Sequence, residues 1–317
     1  MRGLAGLAMR GPFVAALTIA AFALAALVFA PALLVSGALV GLVTLRHGPG
    51  PGLRTMVTSA AVVASALFLL NGRLGLAAVA VAAVWGVVWG AALTLRRTGR
   101  QGRAVVSLGL CVMAYAAMMR WRTPDVNRFW QERLRILGQL VEAEGGQFLT
   151  PEQIDAYGAM MHAASVALLF LGFASMVFLA RWWQAGLYNP GGFRAEFHAL
   201  ALPRWISPLG AVVALASIVG SLRDAKIGLA EDAIVVLVLM FSLQGLAVLH
   251  AACAARALSR GWLVGTYVLL GFVPHVVMPI LATTGLADMV VGFRQRLRAG
   301  AHGKGRGDGE SGGEGPD

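Results

Sequence analysis

Charged side chains are scarce in this sequence of 317 residues: only 13% are Asp, Glu, Lys or Arg, whereas 58% are hydrophobic and the mean hydropathy is +0.73. A soluble domain carries about 25% charged and about 45–50% apolar residues. The composition therefore excludes a disordered chain and most soluble enzyme folds. It predicts an all-α protein, a polytopic transmembrane helical bundle.

Cysteine is also rare, and familiar catalytic and metal-binding motifs are missing. Cys111 and Cys253 are the only cysteines, and both lie inside apolar segments. Two cysteines without CxxC spacing cannot provide a disulfide framework. The apolar part of the chain, residues 13–293, contains no HExxH pair, no Walker loop and no GxSxG nucleophile elbow. We therefore expect no enzymatic activity, no metal site and no cofactor.

The charge that is present is mostly positive, with a formal net charge of +11. In a soluble protein such an excess would suggest nucleic acid as a partner, through neutralisation of phosphates. Here the basic residues lie in loops between apolar segments (residues 1–12, 46–54, 96–103, 181–204 and 256–260), and these loops alternate with neutral or acidic ones (71–73, 120–157 and 223–232). Basic loops are typical of the cytoplasmic face of a membrane. We predict a cytoplasmic N-terminus and the lipid bilayer, not nucleic acid, as the main partner.

The apolar segments predict ten membrane spans. They cover residues 13–45, 55–70, 74–95, 104–119, 158–180, 206–222, 231–255 and 262–293. A single helix over the first segment would be about 50 Å long, whereas the hydrocarbon core of a bilayer is about 30 Å thick. Pro31 divides the first segment, and Pro274 and Pro279 interrupt the last, so each is predicted to form two helices. An even number of spans also places the C-terminal arginines in the cytoplasm; eight or nine spans are the alternatives, the latter with one span over 262–284 and an interfacial helix after it.

Residues 120–157 form the one long polar connection, and they predict an amphipathic helix outside the membrane. Thr123, Pro124 and Asp125 have the order of an N-cap, a first-turn proline and an acidic first turn. Thr150 and Gln153 then predict a capping box for a helix that runs into the span ending at Arg181. The apolar stripe of the external helix consists of Val126, Phe129, Trp130, Leu134, Leu137 and Val141.

The glycine-rich C-terminal segment is predicted to stand apart from the bundle. Residues 299–317 contain no large apolar side chain, so they cannot bury a core and are expected to be disordered. Residues 1–298 are predicted to form the transmembrane helical bundle.

Polar residues inside the apolar segments are the candidates for binding a small-molecule ligand, because burying them in a membrane is costly. Ser242, Gln244 and His250 share one predicted helix and could face a cavity. A neutral His250 that hydrogen-bonds across helices, or lies at the interface, is the alternative. For His162 and His275 an interfacial position or an outer turn accounts for the residue without a ligand.

The predicted cytoplasmic loop over residues 181–205 is rich in aromatic residues. It contains Trp182, Trp183, Tyr188, Asn189 and Phe193. Tryptophans at a membrane interface and an Asn-Pro-Gly-Gly turn explain this composition without a partner. The alternative is a docking surface for a membrane or cytoplasmic protein, with the aromatic side chains as anchors.

The same loop resembles a known family. The similar residues are Arg181-Trp182-Trp183-Gln184-Ala185, Leu187-Tyr188-Asn189-Pro190-Gly191-Gly192-Phe193, Glu196-Phe197 and Leu202-Pro203, with Thr44-Leu45-Arg46 and Gly285-Leu286-Ala287-Asp288 elsewhere. They look like the YybS-like family of bacterial integral membrane proteins, which has no established activity. The resemblance implies a multi-pass protein of the bacterial cytoplasmic (inner) membrane. It also implies a distant similarity to the substrate-capturing subunits of energy-coupling-factor transporters, which bind a small molecule within a helical bundle and dock to an energising module.

Two functions follow as expectations. The first is a transport-related bundle that binds a small solute, and the alternative is a non-transporting scaffold that docks protein partners through residues 181–205. The spans are almost free of charge, and Asp288 is the one exception in their interiors. A proton- or sodium-coupled carrier usually needs buried acids, so the sequence argues against one.

Overall fold

The computed structural model describes residues 2–71, 76–223, 228–256, 258–259 and 261–294. These ranges form thirteen α-helices and no strand, which confirms the all-α prediction. The helices are α1 (Arg2–Ala8), α2 (Pro12–Ala25), α3 (Ala32–His47), α4 (Pro49–Asn71), α5 (Leu76–Thr98), α6 (Gln101–Arg122), α7 (Val126–Ala143), α8 (Pro151–Tyr188), α9 (Gly192–His198), α10 (Ile206–Leu222), α11 (Gly228–Ala255), α12 (Gly261–Phe272) and α13 (Pro274–Val291). The predicted disordered segment 299–317 lies outside the described residues.

Ten of these helices are apolar, and they cover the eight apolar segments of the sequence, with two helices in the first segment and two in the last. Six of them, α4, α5, α6, α8, α11 and α13, are long and apolar enough to cross a membrane, and α2, α3, α10 and α12 are shorter apolar helices. The chain therefore has the architecture of a multi-pass membrane protein. Breaks before Ala32 and at Val273 divide the first and last segments close to the prolines. With 12 residues, α12 reaches only about 18 Å, which is less than the thickness of a bilayer core.

Helix α3 lies at the centre of the N-terminal half, and a buried hydrogen-bond chain holds its neighbours. Every residue from Ser36 to Leu45 is buried. The indole of Trp85 in α5 donates to the Ser36 hydroxyl at 3.1 Å, and Ser36 donates to the Ile19 carbonyl of α2 at 2.8 Å. Because polar groups in an apolar bundle need partners, this chain fixes the relative rotation of three helices.

The connections alternate between two ends of the bundle, as the charge pattern predicts. At the end that we call the basic end, Arg96 in the last turn of α5 donates to the Leu45 carbonyl in the last turn of α3 at 2.5 Å. Gln184 of α8 donates to the same carbonyl at 3.2 Å. At the opposite end, which we call the α7 end, Arg120 of α6 meets Asp232 of α11. Arg294, which follows α13, contacts the backbone after α9, so this helix returns to the basic end.

The caps near α7 and α8 confirm one local prediction and correct two. Thr150 and Gln153 form the predicted capping box. The N-cap of α7 is Asp125, which accepts from the Arg128 N–H at 2.9 Å, whereas Thr123 ends α6. The helical conformation begins only at Val126, so Asp125 and not Thr123 is in position to accept from the free N–H groups of the first turn. Helix α8 also continues beyond Arg181 to Tyr188, so the first part of the predicted loop 181–205 is helical.

Candidate functional site

An extended segment, residues 199–203, lies at the basic end between α9 and α10. Pro203 favours extended backbone at Leu202. The segment contacts α6 on one side, and it contacts α11 and the residue Arg294 after α13 on the other. Its backbone groups leave their usual helical partners and must be satisfied by side chains. Two residues from distant parts of the chain do this.

Gln244 and Arg294 are these two anchors. The fully buried Gln244 accepts from the Leu202 N–H at 2.9 Å and donates from Nε2 to the Gly285 carbonyl of α13 at 2.8 Å. Arg294 donates to the Leu200 carbonyl at 2.6 Å and to the His198 carbonyl at 3.1 Å. Arg294 is itself held by the buried carboxylate of Asp288 at 2.6 Å. The segment is therefore fixed in place.

Glycine is required where this segment meets the first turn of α6. A Cβ atom added at Gly102 would overlap the carbonyl oxygen of Ala201 and lie 2.6 Å from its carbonyl carbon. Since backbone atoms cannot move aside as a flexible side chain can, only glycine allows this approach. The contact sets the distance between the segment and the N-terminus of α6.

A cavity of about 650 Å³ opens between the start of α6 and this segment. Three arginines, Arg100, Arg103 and Arg204, line it together with one acid, Glu196. Glu196 is already engaged, because it accepts two hydrogen bonds from Arg181 of α8, one of them from Nε at 2.7 Å. The wall is therefore strongly basic.

Gln101 is the unusual residue of this cavity. It is only 4% exposed, and it lines the cavity. Neither its Nε2 nor its Oε1 atom has a hydrogen-bond partner in the described part of the chain. Leaving a buried polar group unpaired costs about 1–3 kcal/mol, and such groups are uncommon. Gln101 also belongs to the first turn of α6, where the N-cap residue Arg100 supplies no side-chain cap. The N-terminus of a helix attracts anions through its free N–H groups and its dipole.

A second cavity, of about 300 Å³, lies on the other side of the same segment. Gln244, Asp288 and Arg294 line it, and Arg204 borders both cavities. The extended segment is thus a partition between two polar spaces at the basic end.

The three ligand-binding candidates from the sequence do not meet in one cavity. Gln244 lines the second cavity but is held by backbone groups on both sides. Ser242 hydrogen-bonds to the Val238 and Met278 carbonyls at 2.6 and 2.7 Å. His250 lies elsewhere, with Nε2 2.9 Å from the Tyr267 hydroxyl. Their role in ligand binding stays a prediction, and the geometry explains Gln244 and Ser242 as helix-packing residues.

The five predicted docking residues differ in their solvent exposure and in their structural roles. Trp183 is only 4% exposed, whereas Trp182 and Tyr188 are 46% and 44% exposed. The guanidinium of Arg46 lies over the Tyr188 ring at 4.0 Å. The remaining two have structural positions: Asn189 is the C-cap of α8, and Phe193 stacks on Phe197.

Sequence reasoning missed a buried charge cluster at the α7 end. Asp232 is 2% exposed and pairs with Arg120 through Nε and Nη2, at 2.6 and 2.9 Å. His162, also buried, places Nε2 3.2 Å from the same carboxylate. Asp288 was predicted to be the one charged residue inside the spans, but Asp232 at the start of α11 is buried as well, and each of these two acids lies beside an arginine. The sequence did contain a signal for this pair. Arg120 and Asp232 have opposite charges, and they lie at the ends of two apolar segments that are predicted to reach the same face of the membrane.

The described ranges contain no group of three or more His, Cys, Asp and Glu side chains placed to hold a metal ion. No protein-family model matches the chain, and no match is found among curated proteins or solved structures. The resemblance to the YybS-like family therefore stays a prediction that depends on the residues quoted above.

Proposed function

We propose that this protein is a transport-related membrane bundle that binds a small anionic solute at its basic end, in the cavity at the start of α6. The observation that carries the proposal is Gln101, a buried amide without a partner in a cavity lined by three arginines. An anion between Arg103 and Arg204 would supply the acceptor that the Nε2 atom of Gln101 lacks. A volume of about 650 Å³ falls within the range of small-molecule sites, about 300–1,000 Å³.

The location of the cavity supports a role in moving the solute. The partition 199–203 separates it from the second cavity. Side-chain anchors, one glycine contact and the buried side chains of Leu200 and Leu202 hold this partition. A small displacement of the partition would join the two spaces. We also propose a bacterial cytoplasmic membrane with the basic end in the cytoplasm, because arginine-rich connections gather at this end.

The alternative function, a scaffold that docks proteins through residues 181–205, has weaker support. Trp183 is buried, and Asn189 and Phe193 have structural positions. Trp182, Tyr188 and Trp205 offer exposed aromatic surface, but half-exposed aromatic residues are also typical of a lipid interface. We keep the scaffold as the function to test if no solute binds.

Anion binding should depend on the cavity arginines. We expect the full-length protein in neutral detergent to bind inorganic phosphate or citrate by isothermal titration calorimetry, and Arg103→Gln or Arg204→Gln to raise the Kd about tenfold. A hydrogen bond to a charged group contributes about 1.5–3 kcal/mol, and about 1.4 kcal/mol corresponds to a factor of ten. Affinity should fall as ionic strength rises, because these arginines are exposed.

The matched control is Arg54→Gln, which removes an exposed arginine of α4 that does not line the cavity. Equal weakening by Arg54→Gln, or no binding of either anion by the unmodified protein, would contradict the anion site. Nanodiscs of phosphatidylglycerol and of phosphatidylcholine separate a solute from a lipid headgroup. Loss of phosphate and citrate binding in phosphatidylglycerol alone would assign the cavity to lipid and overturn the solute proposal.

A further inference from the structure

We propose that the α7 end carries a second binding site, for a small organic cation with N–H donors, and that His162 is its hydrogen-bond acceptor. The site lies where α6, α8 and α11 converge beside the start of α7. It is independent of the anion cavity, since none of its lining residues is shared.

The protonation of His162 follows from its neighbour. The Oδ2 atom of Asp232 lies 3.2 Å from Nε2 of His162 and 2.6 Å from Nε of Arg120. An ionised carboxylate only accepts hydrogen bonds, so Nε2 must carry the ring proton and donate it. In a neutral imidazole the other nitrogen is then an acceptor. The proposal applies to the neutral ring, in which the Nδ1 atom of His162 is a lone-pair acceptor.

This acceptor has no partner among the residues that the structure describes. His162 is 3% exposed, and its Nδ1 atom makes no hydrogen bond. Ser165, one turn further along α8, uses its hydroxyl on the His162 carbonyl at 2.7 Å instead. A buried acceptor without a donor costs free energy. A ligand that supplies a donor would remove this cost, so the free acceptor points to a ligand with an N–H or O–H group.

The side chain of His162 forms part of the wall of a cavity of about 360 Å³. A water molecule occupies about 30 Å³ in the liquid, so the space is large enough for an organic ion of several heavy atoms. The wall combines the carboxylates of Asp125, Glu231 and Asp232 with the guanidinium of Arg120.

The charge of this wall favours a cation. Arg120 and Asp232 neutralise each other in a two-point ion pair. Asp125 caps α7 through one oxygen, and Glu231 is exposed at the start of α11. Among the described residues of the wall these two acids leave a negative balance, which raises the local concentration of cations. A cation with an N–H group satisfies both the acids and the free Nδ1 atom.

Two ammonium ions test the site by separating charge from hydrogen bonding. Ethylammonium carries N–H donors, whereas tetramethylammonium has the same charge and none. We expect equilibrium dialysis of the full-length protein in neutral detergent to show binding of ethylammonium at least tenfold tighter than binding of tetramethylammonium. His162→Phe should remove this preference, because the phenyl ring keeps the shape of the imidazole but has no acceptor atom, whereas His162→Gln keeps an acceptor in its Oε1 atom and should retain part of the preference. His275→Gln is the matched control and should leave the preference unchanged.

Two further measurements keep the proposal falsifiable if His162→Phe does not fold. Glu231→Gln changes an exposed side chain and should weaken ethylammonium binding several-fold. Nitrogen-15 NMR of histidine-labelled protein at neutral pH should show an unprotonated Nδ1 that shifts when ethylammonium is added. A protonated Nδ1 in the free protein, equal binding of both cations, or loss of the preference in His275→Gln would each overturn the cation site. Phosphate binding in the same samples tests the anion cavity separately.

Discussion

Asp232→Asn is expected to lower the free energy of unfolding by about 3–5 kcal/mol, the cost of removing one partner from a buried ion pair. The substitution keeps the shape of the side chain but leaves the Arg120 guanidinium without its counter-charge and changes the hydrogen bond to His162. Asp232 is 2% exposed and Arg120 is 29% exposed, so water reaches the unpaired guanidinium only in part. Unfolding in mixed micelles of rising dodecyl sulfate fraction, followed by circular dichroism, measures the change.

Asp155→Asn is the matched control for this prediction. Asp155 pairs with Arg135 at 3.2 Å, but the two side chains are 59% and 46% exposed, and an exposed pair contributes about 0–1 kcal/mol. The double variant Arg120→Met with Asp232→Leu should recover most of the stability, because it removes both buried charges. Equal effects of Asp232→Asn and Asp155→Asn would show that the buried pair does not stabilise the bundle.

Gln244→Leu is expected to lower the free energy of unfolding by about 2–6 kcal/mol. Leucine fits the space but leaves the Leu202 N–H and the Gly285 carbonyl unpaired, and each unpaired buried group costs about 1–3 kcal/mol. The extended segment would also lose its anchor on α11, so phosphate binding at the basic end should weaken together with stability. The same micelle titration and calorimetry measure both effects.

Gln101→Leu is the same substitution at a buried glutamine whose amide has no partner. Replacing an unsatisfied polar group by an apolar one of similar size should leave the stability unchanged or raise it. Phosphate binding should nevertheless weaken, because the cavity loses its amide. If Gln101→Leu destabilised the protein as much as Gln244→Leu, Gln101 would be a structural residue and the proposed anion site would lose its main support.

Prediction from sequence succeeded where a local property decides the outcome. The breaks near Pro31 and Pro274 and the capping box of Thr150 with Gln153 each depend on a few neighbouring residues. The prediction that α8 ends at Arg181 was less accurate. Aromatic residues and a later turn suggested that a loop begins there. The break comes only after Tyr188, because Asn189 and Gly191 are the first residues that leave the helical conformation there.

The candidate sites were harder to predict because they depend on which helix faces meet. Gln244 was singled out correctly as a buried polar residue, but its partner Leu202 is 42 residues away. Gln101 resembled an ordinary loop residue, since nothing in its neighbourhood shows that Ala201 closes over the adjacent Gly102. His162 looked interfacial, because its partner Asp232 is 70 residues away.

The sequence by itself determined that this protein is a helical membrane bundle, roughly where its apolar helices begin and end, and that basic and neutral connections alternate. These properties follow from hydropathy, proline and charge along the chain, and each is set within a window of about 20 residues. Only the tertiary structure decided which buried polar groups find partners. Arg120 and Asp232 meet across 112 residues of chain, whereas Gln101 and the Nδ1 atom of His162 are left free. Pairing depends on the rotation and spacing of packed helices, and no local pattern of residues encodes these.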